Sequence, residues 1–400
     1  MEAYLLEWLN LLVRWTHLIV GIAWIGSSFY FVWLDTNLNK PPRDPESDDV
    51  AGDLWAVHGG GFYHAQKYQV APQELPEPLH WFKWEAYTTW LSGFALFVLM
   101  YYVNADVYLV DSSSGISANA AIGISVALLL AGWVVYDLLC RSGLNDRLIG
   151  ALGFLLIILV SWLVSQYFSG RGAYIQVGAM LGTIMVANVL MIIIPGQREL
   201  VEAKKRGEEP DPMPGIRGKQ RSVHNNYITL PVLFVMLSPH YPMTYSHEYN
   251  WLVLIVIFVA AILIRHFFNL RNSGKVQPIL PIAAVLILAG LAFAIAPKTK
   301  SSADATAHVP VDMVVSFADV QAIIVNRCNT CHSSTPNHPT APVAPNGVMF
   351  DTREQIEQWA ARIHERTVVT RTMPLANLTG ITDEERNMLD AWFRGIAKSP

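Results

Sequence analysis

The sequence predicts an all-α protein, in which a polytopic membrane helix bundle of about eight transmembrane helices is followed by a small all-α domain. Three observations predict this arrangement. Of the 400 residues, 52% are hydrophobic and 15% are charged. The apolar residues form runs long enough to cross about 30 Å of hydrocarbon. The composition then changes after Pro297, where such runs cease.

The apolar runs have the length expected of membrane-spanning helices. The sixth run is the shortest and contains Pro231, so its helix can begin several residues earlier. The N-terminus lacks a basic segment and a small-residue cleavage site, which predicts that the first helix is retained. The predicted helices are Leu9–Leu34, Trp84–Val103, Ala120–Leu139, Leu148–Phe168, Tyr174–Ile194, Asn226–Ser238, Trp251–Phe268 and Pro281–Ile295.

Lys and Arg are concentrated in every second connection between these helices. The positive-inside rule places such connections in the cytoplasm, so we expect a multi-pass protein of a bacterial inner (plasma) membrane with both termini in the periplasm. The net charge of −4 does not favour nucleic acid as a partner, and the lipid bilayer explains the basic connections. The basic residues are Lys40, Arg43, Lys67, Lys83, Arg141, Arg147, Arg198, Lys204, Lys205, Arg206, Arg217, Lys219, Arg221, Arg271 and Lys275.

A Cys-x-x-Cys-His motif lies in the C-terminal region at Cys328, Cys331 and His332. Two thiols at this spacing can form thioether bonds to the vinyl groups of a haem while the imidazole ligates its iron, so the motif predicts a covalent haem c. A zinc site would need a second Cys or His pair at the usual spacing, which the sequence lacks. Because c-type haem is attached after export, the motif independently predicts a periplasmic domain and an even number of membrane helices.

Met373 is the predicted sixth ligand of the haem iron, because it lies on a downstream loop and is followed by Pro374. His/Met ligation raises the potential of haem in cytochromes c. Two alternatives stay open. In the first, Met373 is a residue of the core. In the second, His338 or His364 ligates the iron, although His338 is close to the motif and His364 falls on a predicted helix.

Three segments follow from the composition: a transmembrane domain over 1–297, a linker over 298–312 rich in Ser, Ala, Thr and Pro, and a periplasmic cytochrome c domain over 313–400. Helices are predicted over Phe317–Arg327 and Thr352–Thr367. A capping box at Thr382-x-x-Glu385 predicts the start of a last helix. A covalent haem would supply the apolar centre that so short a domain lacks.

Ionisable groups inside a bilayer face protein or a cavity, because their exposure to hydrocarbon is expensive. Arg14 and His17 share one face of the first helix, and Trp24 and Ser28 continue that face at helical spacing. The pattern predicts that this face lines a cavity or a site. His17 is then either an axial ligand of a second, non-covalent haem b or a histidine hydrogen-bonded inside the bundle, and the pattern favours neither.

The first connection, between Trp55 and Trp90, is denser in aromatic and ionisable residues than an ordinary loop. The run from His58 to His64 contains three consecutive glycines, which permit close approach of the backbone to a ligand. Aromatic faces can stack on a planar ring, and Lys67 and Lys83 can neutralise an anion at low dielectric. Each residue alone has an ordinary explanation at a membrane interface, so only their combination predicts a binding site.

At these residues the chain resembles the membrane-bound urate oxidase (urate hydroxylase) family, in which a multi-helix domain is fused to a C-terminal cytochrome c domain. The resemblance implies oxidation of urate to 5-hydroxyisourate with water as the oxygen donor. Electrons would leave through haem c to a soluble or membrane cytochrome c or another acceptor of the respiratory chain. The matching motifs are Trp15-Thr16-His17, Trp24-Ile25-Gly26, His58-Gly59-Gly60-Gly61-Phe62-Tyr63, Leu79-His80-Trp81-Phe82-Lys83-Trp84-Glu85, Cys328 to His332, and Met373-Pro374.

With urate as the implied substrate, four residues of the first connection are the catalytic candidates. Lys67 or Lys83 would stabilise the urate anion, and His64 or Glu85 would accept the proton of the attacking water. The predicted topology separates this site from the periplasmic haem by about the thickness of the hydrocarbon layer. A haem b held by His17 is therefore the predicted relay, with a second ligand among the following histidines: His64, His80, His224 and His266.

The competing hypothesis is a membrane-anchored cytochrome c electron carrier that docks another oxidoreductase and has no metabolite site of its own. Composition alone does not separate the two hypotheses. The Gly, His, Lys and aromatic residues of the first connection favour the enzyme, because an anchor has no use for them.

Overall fold

The computed structural model describes residues 2–40, 50–111, 113–296, 315–338, 341 and 344–396. This part of the chain is mostly helical, as the sequence predicts, and it contains one two-stranded sheet. The predicted linker over 298–312 and the basic residue Arg43 lie outside the described residues.

The N-terminal region consists of long helices joined by shorter elements. Two of its helices, α2 and α6, continue into π-helical turns over Val98–Tyr102 and Asn188–Ile193. The elements are α1 (Glu2–Asn37), β1 (Val50–His58), β2 (Gly61–Tyr68), α2 (Trp84–Phe97), α3 (Ala105–Tyr108), α4 (Ala118–Arg141), α5 (Asp146–Ser165), α6 (Gly170–Ala187), α7 (Ile194–Lys205), α8 (Met213–Leu237), α9 (Pro242–Tyr245), α10 (Asn250–Asn272) and α11 (Ile279–Ala294).

Among the described residues, 5 helical stretches are long and apolar enough to cross a membrane. The remaining predicted spans also form helices, but α2 and α11 are shorter and α8 is more polar. The count of about eight spans therefore stays a prediction. The five stretches are Trp8–Asn37, Ala118–Arg141, Asp146–Ser165, Gly170–Lys205 and Asn250–Asn272.

The sixth predicted span begins earlier than its apolar run, at Met213 instead of Asn226. Pro214 stands in the first turn, where its missing N–H is not needed. Arg221 and Asn225 are polar but buried. Their hydrogen-bond partners on α4 and on the π-helical turn after α6 stabilise this first part of the helix, which hydrophobic periodicity does not predict.

The first connection forms a β-hairpin, which corrects the all-α prediction for this segment. β1 and β2 are antiparallel, with Trp55 opposite His64, and Gly59 and Gly60 turn the chain with φ of 57° and 82°. A two-residue hairpin turn of this kind needs positive φ at both positions, so these glycines serve the turn. The alternating aromatic and polar residues are accordingly the pattern of a strand.

α6 lies at the centre of the bundle, and most of its residues are buried. The side chain of Gln176 is fully buried, and its amide donates a hydrogen bond to the carbonyl of Ser125 on α4 at 3.0 Å. Gly178 lets α8 approach closely, since an added Cβ would lie 2.4 Å from Cγ1 of Val235. Small residues are typical of such helix contacts in membranes.

Gly178→Ala is expected to lower the free energy of unfolding by about 1–3 kcal/mol, because the new methyl group must displace Val235. Gly182→Ala on the same helix is the matched control, since nothing lies within 4 Å of its Cβ position. The control should be neutral or slightly stabilising. Thermal unfolding in detergent measures both variants, and equal losses would contradict the close helix contact.

The C-terminal region is a small helical unit with its own core, in which Ile324, Leu389 and Trp392 are buried. The predicted helix over Thr352–Thr367 is interrupted at Trp359, which leaves helical geometry with φ −98° and ψ 7°. Its elements are α12 (Phe317–Arg327), α13 (Arg353–Gln358), α14 (Ala360–His364), a π-helical turn (Glu365–Val369) and α15 (Asp383–Ile396).

The predicted capping box at the start of α15 is confirmed. The backbone N–H of Thr382 donates to the Glu385 carboxylate at 2.8 Å, and the backbone N–H of Glu385 donates to the Thr382 hydroxyl at 3.2 Å. The two bonds satisfy N–H groups that a helix start otherwise leaves unpaired.

Candidate functional site

The residues of the Cys-x-x-Cys-His motif lie together in a tight turn directly after α12. The backbone N–H groups of Cys331 and His332 both donate to the carbonyl of Cys328, at 3.1 and 2.9 Å. Cys328 also packs against the core of the C-terminal region. The turn therefore places both thiols and the imidazole at the edge of one apolar core.

The imidazole of His332 is oriented as a metal ligand requires. Its Nδ1 lies 3.0 Å from the carbonyl oxygen of Val348, so Nδ1 donates and Nε2 is left for a metal. Burial lowers the pKa of His332, which favours the neutral ring that binds iron. The ring of Phe350 lies beside it, with centroids 5.1 Å apart.

The two cysteines are free thiols. Burial raises the pKa of Cys328 to about 12 and also raises the pKa of Cys331. Both sulfurs therefore carry their protons at neutral pH, and addition of S–H across a vinyl group is the reaction that forms a thioether. The neighbouring Asn329 has a buried Oδ1 without a hydrogen-bond partner among the described residues. The donor set and its surroundings fit a haem c.

The backbone of Met373 is fixed on both sides. Its N–H donates to the carbonyl of Arg366 at 3.0 Å, and its carbonyl accepts a hydrogen bond from buried Arg386 at 3.1 Å. The alternative ligand His364 is engaged elsewhere, because its Nε2 lies 2.7 Å from Asp390 and its ring stacks on Phe393. These contacts favour Met373, and its role as sixth ligand stays a prediction.

The segment that follows Met373 lies against the membrane region. The turn Leu375–Asn377 contacts α3. Burial raises the pKa of Tyr245 on α9, and the nearby Arg366 guanidinium opposes this shift. α3 and α9 belong to connections with few basic residues, and the periplasmic location of these connections stays a prediction.

A cavity of about 840 Å³ lies near the opposite end of the bundle. Its walls come from α1, the segment after β2, the π-helical turn with α7, and α8. The aromatic residues Phe31 and Phe82 meet edge to face, with centroids 4.8 Å apart. Trp24 and Ser28, two residues of the face predicted on the first helix, line the cavity, whereas Arg14 and His17 of that face are not among the lining residues. Other aromatic and polar residues that line the cavity are Trp81, His80, Asp35, Gln197, Lys219, Asn225 and Asn226.

The floor of the cavity is polar and rigid. Asn225 is buried, its Oδ1 accepts from the Asn188 amide at 2.8 Å, and its Nδ2 donates to the carbonyl of Met185 at 2.9 Å. Asn188 opens the π-helical turn, a feature frequent at functional sites. Asn225 is therefore held in place by one accepted and one donated hydrogen bond, and it shapes this part of the cavity.

The four predicted catalytic residues lie around the hairpin and the start of α2, and none of them lines the cavity. Lys67 does not line the cavity, but its ammonium forms an ion pair at 2.7 Å with Asp35, which does. His64 pairs with Asp53 at 2.7 Å and stacks on Trp55. The roles proposed for these residues stay predictions.

The other two candidates occupy different surroundings. The ammonium of Lys83 lies 5.7 Å from the ring centroid of Trp84, a cation–π contact at the start of α2. Glu85 has a buried Oε2 that no group among the described residues hydrogen-bonds. A buried unpaired carboxylate oxygen is expensive, so Glu85 stays a candidate although the cavity is lined by other residues.

Of the polar residues that line the cavity, the sequence predicts a site for Ser28, on the face of the first helix, and for His80, within the first connection. His80 is otherwise predicted as a haem ligand, and Lys219 only as a charge that sets topology. Gln197 carries no sequence signal. The density of aromatic residues around Trp81 was the feature that could have directed attention to His80.

His17 is hydrogen-bonded inside the bundle, with Nδ1 3.1 Å from both the Thr89 carbonyl and the Ser92 hydroxyl. The predicted partners lie far along α1. His80 packs on Phe82, which packs on Phe31, and the rise from position 17 to position 31 is about 21 Å. His64 belongs to the hairpin beyond the end of α1.

The remaining two predicted partners of His17 have other contacts. His224 lies 2.8 Å from the Tyr136 hydroxyl, and His266 lies 2.7 Å from the Tyr227 hydroxyl. Arg265, next to His266, stacks on Phe29, about 18 Å along α1 from His17. The described residues therefore do not fit a haem b between His17 and these partners.

The fold and the site define a class of protein: a helical bundle whose apolar helices are compatible with a membrane location, with a ligand-sized cavity at one end. The sequence model of the Urate oxidase N-terminal family matches residues 3–296, and the chain belongs to this family. Membership indicates a urate-related enzyme of the oxidoreductase type. No curated protein and no solved structure matches the chain.

Proposed function

We propose that this chain is an integral-membrane urate oxidase that converts urate to 5-hydroxyisourate with water as the oxygen donor. Electrons pass to a haem c held by the C-terminal domain and onward to a cytochrome c or another acceptor of the respiratory chain. The membrane is the bacterial inner membrane, and the cytochrome domain lies in the periplasm.

The family match supports the reaction, and the geometry of His332 carries the electron-transfer part of the proposal. Cys328 and Cys331 would hold the haem, with His332 and Met373 as its axial ligands. When bound, the haem accepts single electrons. The bond from Nδ1 of His332 to the Val348 carbonyl keeps Nε2 unprotonated and oriented.

The reaction balances without dioxygen. The urate monoanion and water give 5-hydroxyisourate, one proton and two electrons. A bond forms between C5 and the water oxygen, an O–H bond of water breaks, and the site must accept the proton. Since c-type haem accepts one electron at a time, each turnover requires two successive transfers.

Anaerobic addition of urate to the oxidised protein in detergent is expected to reduce the haem. The α and β absorption bands of a reduced c-type cytochrome should appear. Xanthine, a purine that lacks the 8-oxo group, is the matched control and should leave the spectrum oxidised.

Failure of urate to reduce a haem that dithionite does reduce would contradict the proposed enzyme. That result would favour the electron carrier without a metabolite site. Stoichiometric appearance of 5-hydroxyisourate alongside two reduced haems per urate would instead support the oxidase, because the two electrons lost by each urate would equal those gained by the haems.

A further inference from the structure

We propose that the cavity between α1, α7 and α8 is the urate site, with Lys219 as the cation that binds the anionic purine and His80 as the base that receives the proton from water. This inference rests on the proposed function. It differs from the sequence prediction, which assigns these roles to residues of the hairpin and the start of α2.

The cavity has the size and walls that a planar heterocycle requires. Its volume of about 840 Å³ falls within the range of about 300–1,000 Å³ typical of small-molecule sites. Trp24 and Trp81 are half-buried and supply flat aromatic surface, on which a purine can stack. Both rings belong to one apolar cluster with Val189 of the π-helical turn.

Lys219 is the lining residue that carries an unneutralised positive charge. Within the described ranges, no carboxylate lies within ion-pair distance of its ammonium, whereas Lys67 is already paired with Asp35. The other acidic group close in the fold, Asp146, accepts a hydrogen bond from Gln220. A free ammonium at the mouth of an apolar cavity attracts an anion, because the low-dielectric walls strengthen the interaction.

His80 enters the same cavity from the segment after β2. No hydrogen bond to its ring is formed within the part of the chain that the structure describes, and its one ring contact is edge to face with Phe82 at 4.7 Å. His80 is exposed to solvent, so water can reach it. A neutral imidazole with free nitrogens can take a proton from water as the C5–O bond forms.

Gln197 on α7 completes the polar set. Its amide lines the cavity and has no partner in the described ranges, so it can pair with the alternating N–H and C=O groups of a purine edge. The two electrons released by the reaction leave to a one-electron acceptor of the c-type haem class. The balance of the step therefore needs only water, urate and that acceptor.

Equilibrium dialysis with radiolabelled urate tests the binding part without relying on turnover. Lys219→Gln is expected to weaken urate binding by about 10- to 100-fold, the usual worth of one charge-assisted hydrogen bond. Lys204→Gln, on α7 at the same end of the bundle, is the matched control and should bind urate as the unaltered protein does. Lys219→Arg should recover part of the affinity.

Urate-driven haem reduction tests the catalytic part. His80→Gln is expected to lower kcat by about 100-fold, as loss of a general base does, with KM little changed. Dithionite reduction of each variant shows whether the haem itself is intact.

The outcomes separate this inference from the proposed function. Wild-type affinity in Lys219→Gln would overturn the inference, and weakened binding in Lys83→Gln would then place the anion at the start of α2. An unchanged kcat in His80→Gln would overturn the role of His80. If the unaltered protein neither binds nor oxidises urate, the proposed function itself fails.

Discussion

Serine in place of both Cys328 and Cys331 is expected to remove covalently bound haem and to lower urate-driven electron transfer by about 10- to 100-fold. A serine hydroxyl forms no thioether, and without both bonds His332 holds the haem by its iron alone. Haem staining after denaturing electrophoresis measures attachment. Urate consumption measured with the respiratory acceptor present measures the coupled reaction.

Cys140→Ser is the matched control, because this third cysteine lies on α4 with its Sγ 3.8 Å from His224 and outside the motif. The control should retain covalent haem. Undiminished urate consumption by the double variant would contradict the proposed path of the electrons. The pyridine haemochrome spectrum is expected to show c-type haem alone, in agreement with the hydrogen-bonded state of His17.

Asp137→Ala is expected to lower the free energy of unfolding by about 3 kcal/mol or more. Its carboxylate lies 2.7 Å from the guanidinium of Arg221, whose side chain is only 4% exposed. Removal of the carboxylate leaves the Arg221 charge buried without a counter-ion. The cation–π contact of Arg221 with Tyr136 does not replace the lost ion pair. Thermal and chemical unfolding in detergent measure the loss.

Arg141→Ala is the control for this pair, because Arg141 binds the same carboxylate from solvent with a side chain that is 64% exposed. An exposed ion pair contributes at most about 1 kcal/mol. The prediction fails if the two variants are equally stable. It is strengthened if Asp137→Ala combined with an apolar replacement of Arg221 recovers stability, as substitution of a complete buried pair often does.

The sequence predicts several features of this protein that the structure bears out, and each rests on a local pattern. Apolar runs predict the long helices, and the Thr382-x-x-Glu385 spacing predicts the start of α15. The helical spacing of Trp24 and Ser28 predicts that they share one face, and both residues line the cavity. Patterns of this kind depend on residues one or two turns apart, which the chain order already specifies.

Other features were missed because they depend on partners distant in the chain. The extension of α8 to Met213 depends on contacts of Arg221 and Asn225 with other helices. The three consecutive glycines predict close approach of the backbone to a ligand, whereas hairpin pairing uses Gly59 and Gly60 for a turn.

Spacing along the chain is sufficient to predict the helical class, the apolar runs and a Cys-x-x-Cys-His motif. The set of polar side chains around the cavity instead depends on how distant helices pack. Lys219 and His80 lie far apart in the sequence, and their placement on one cavity follows from the packing of α8 near α1 and the segment after β2. Residue types predict what a side chain can do, and the folded chain decides which side chains act together.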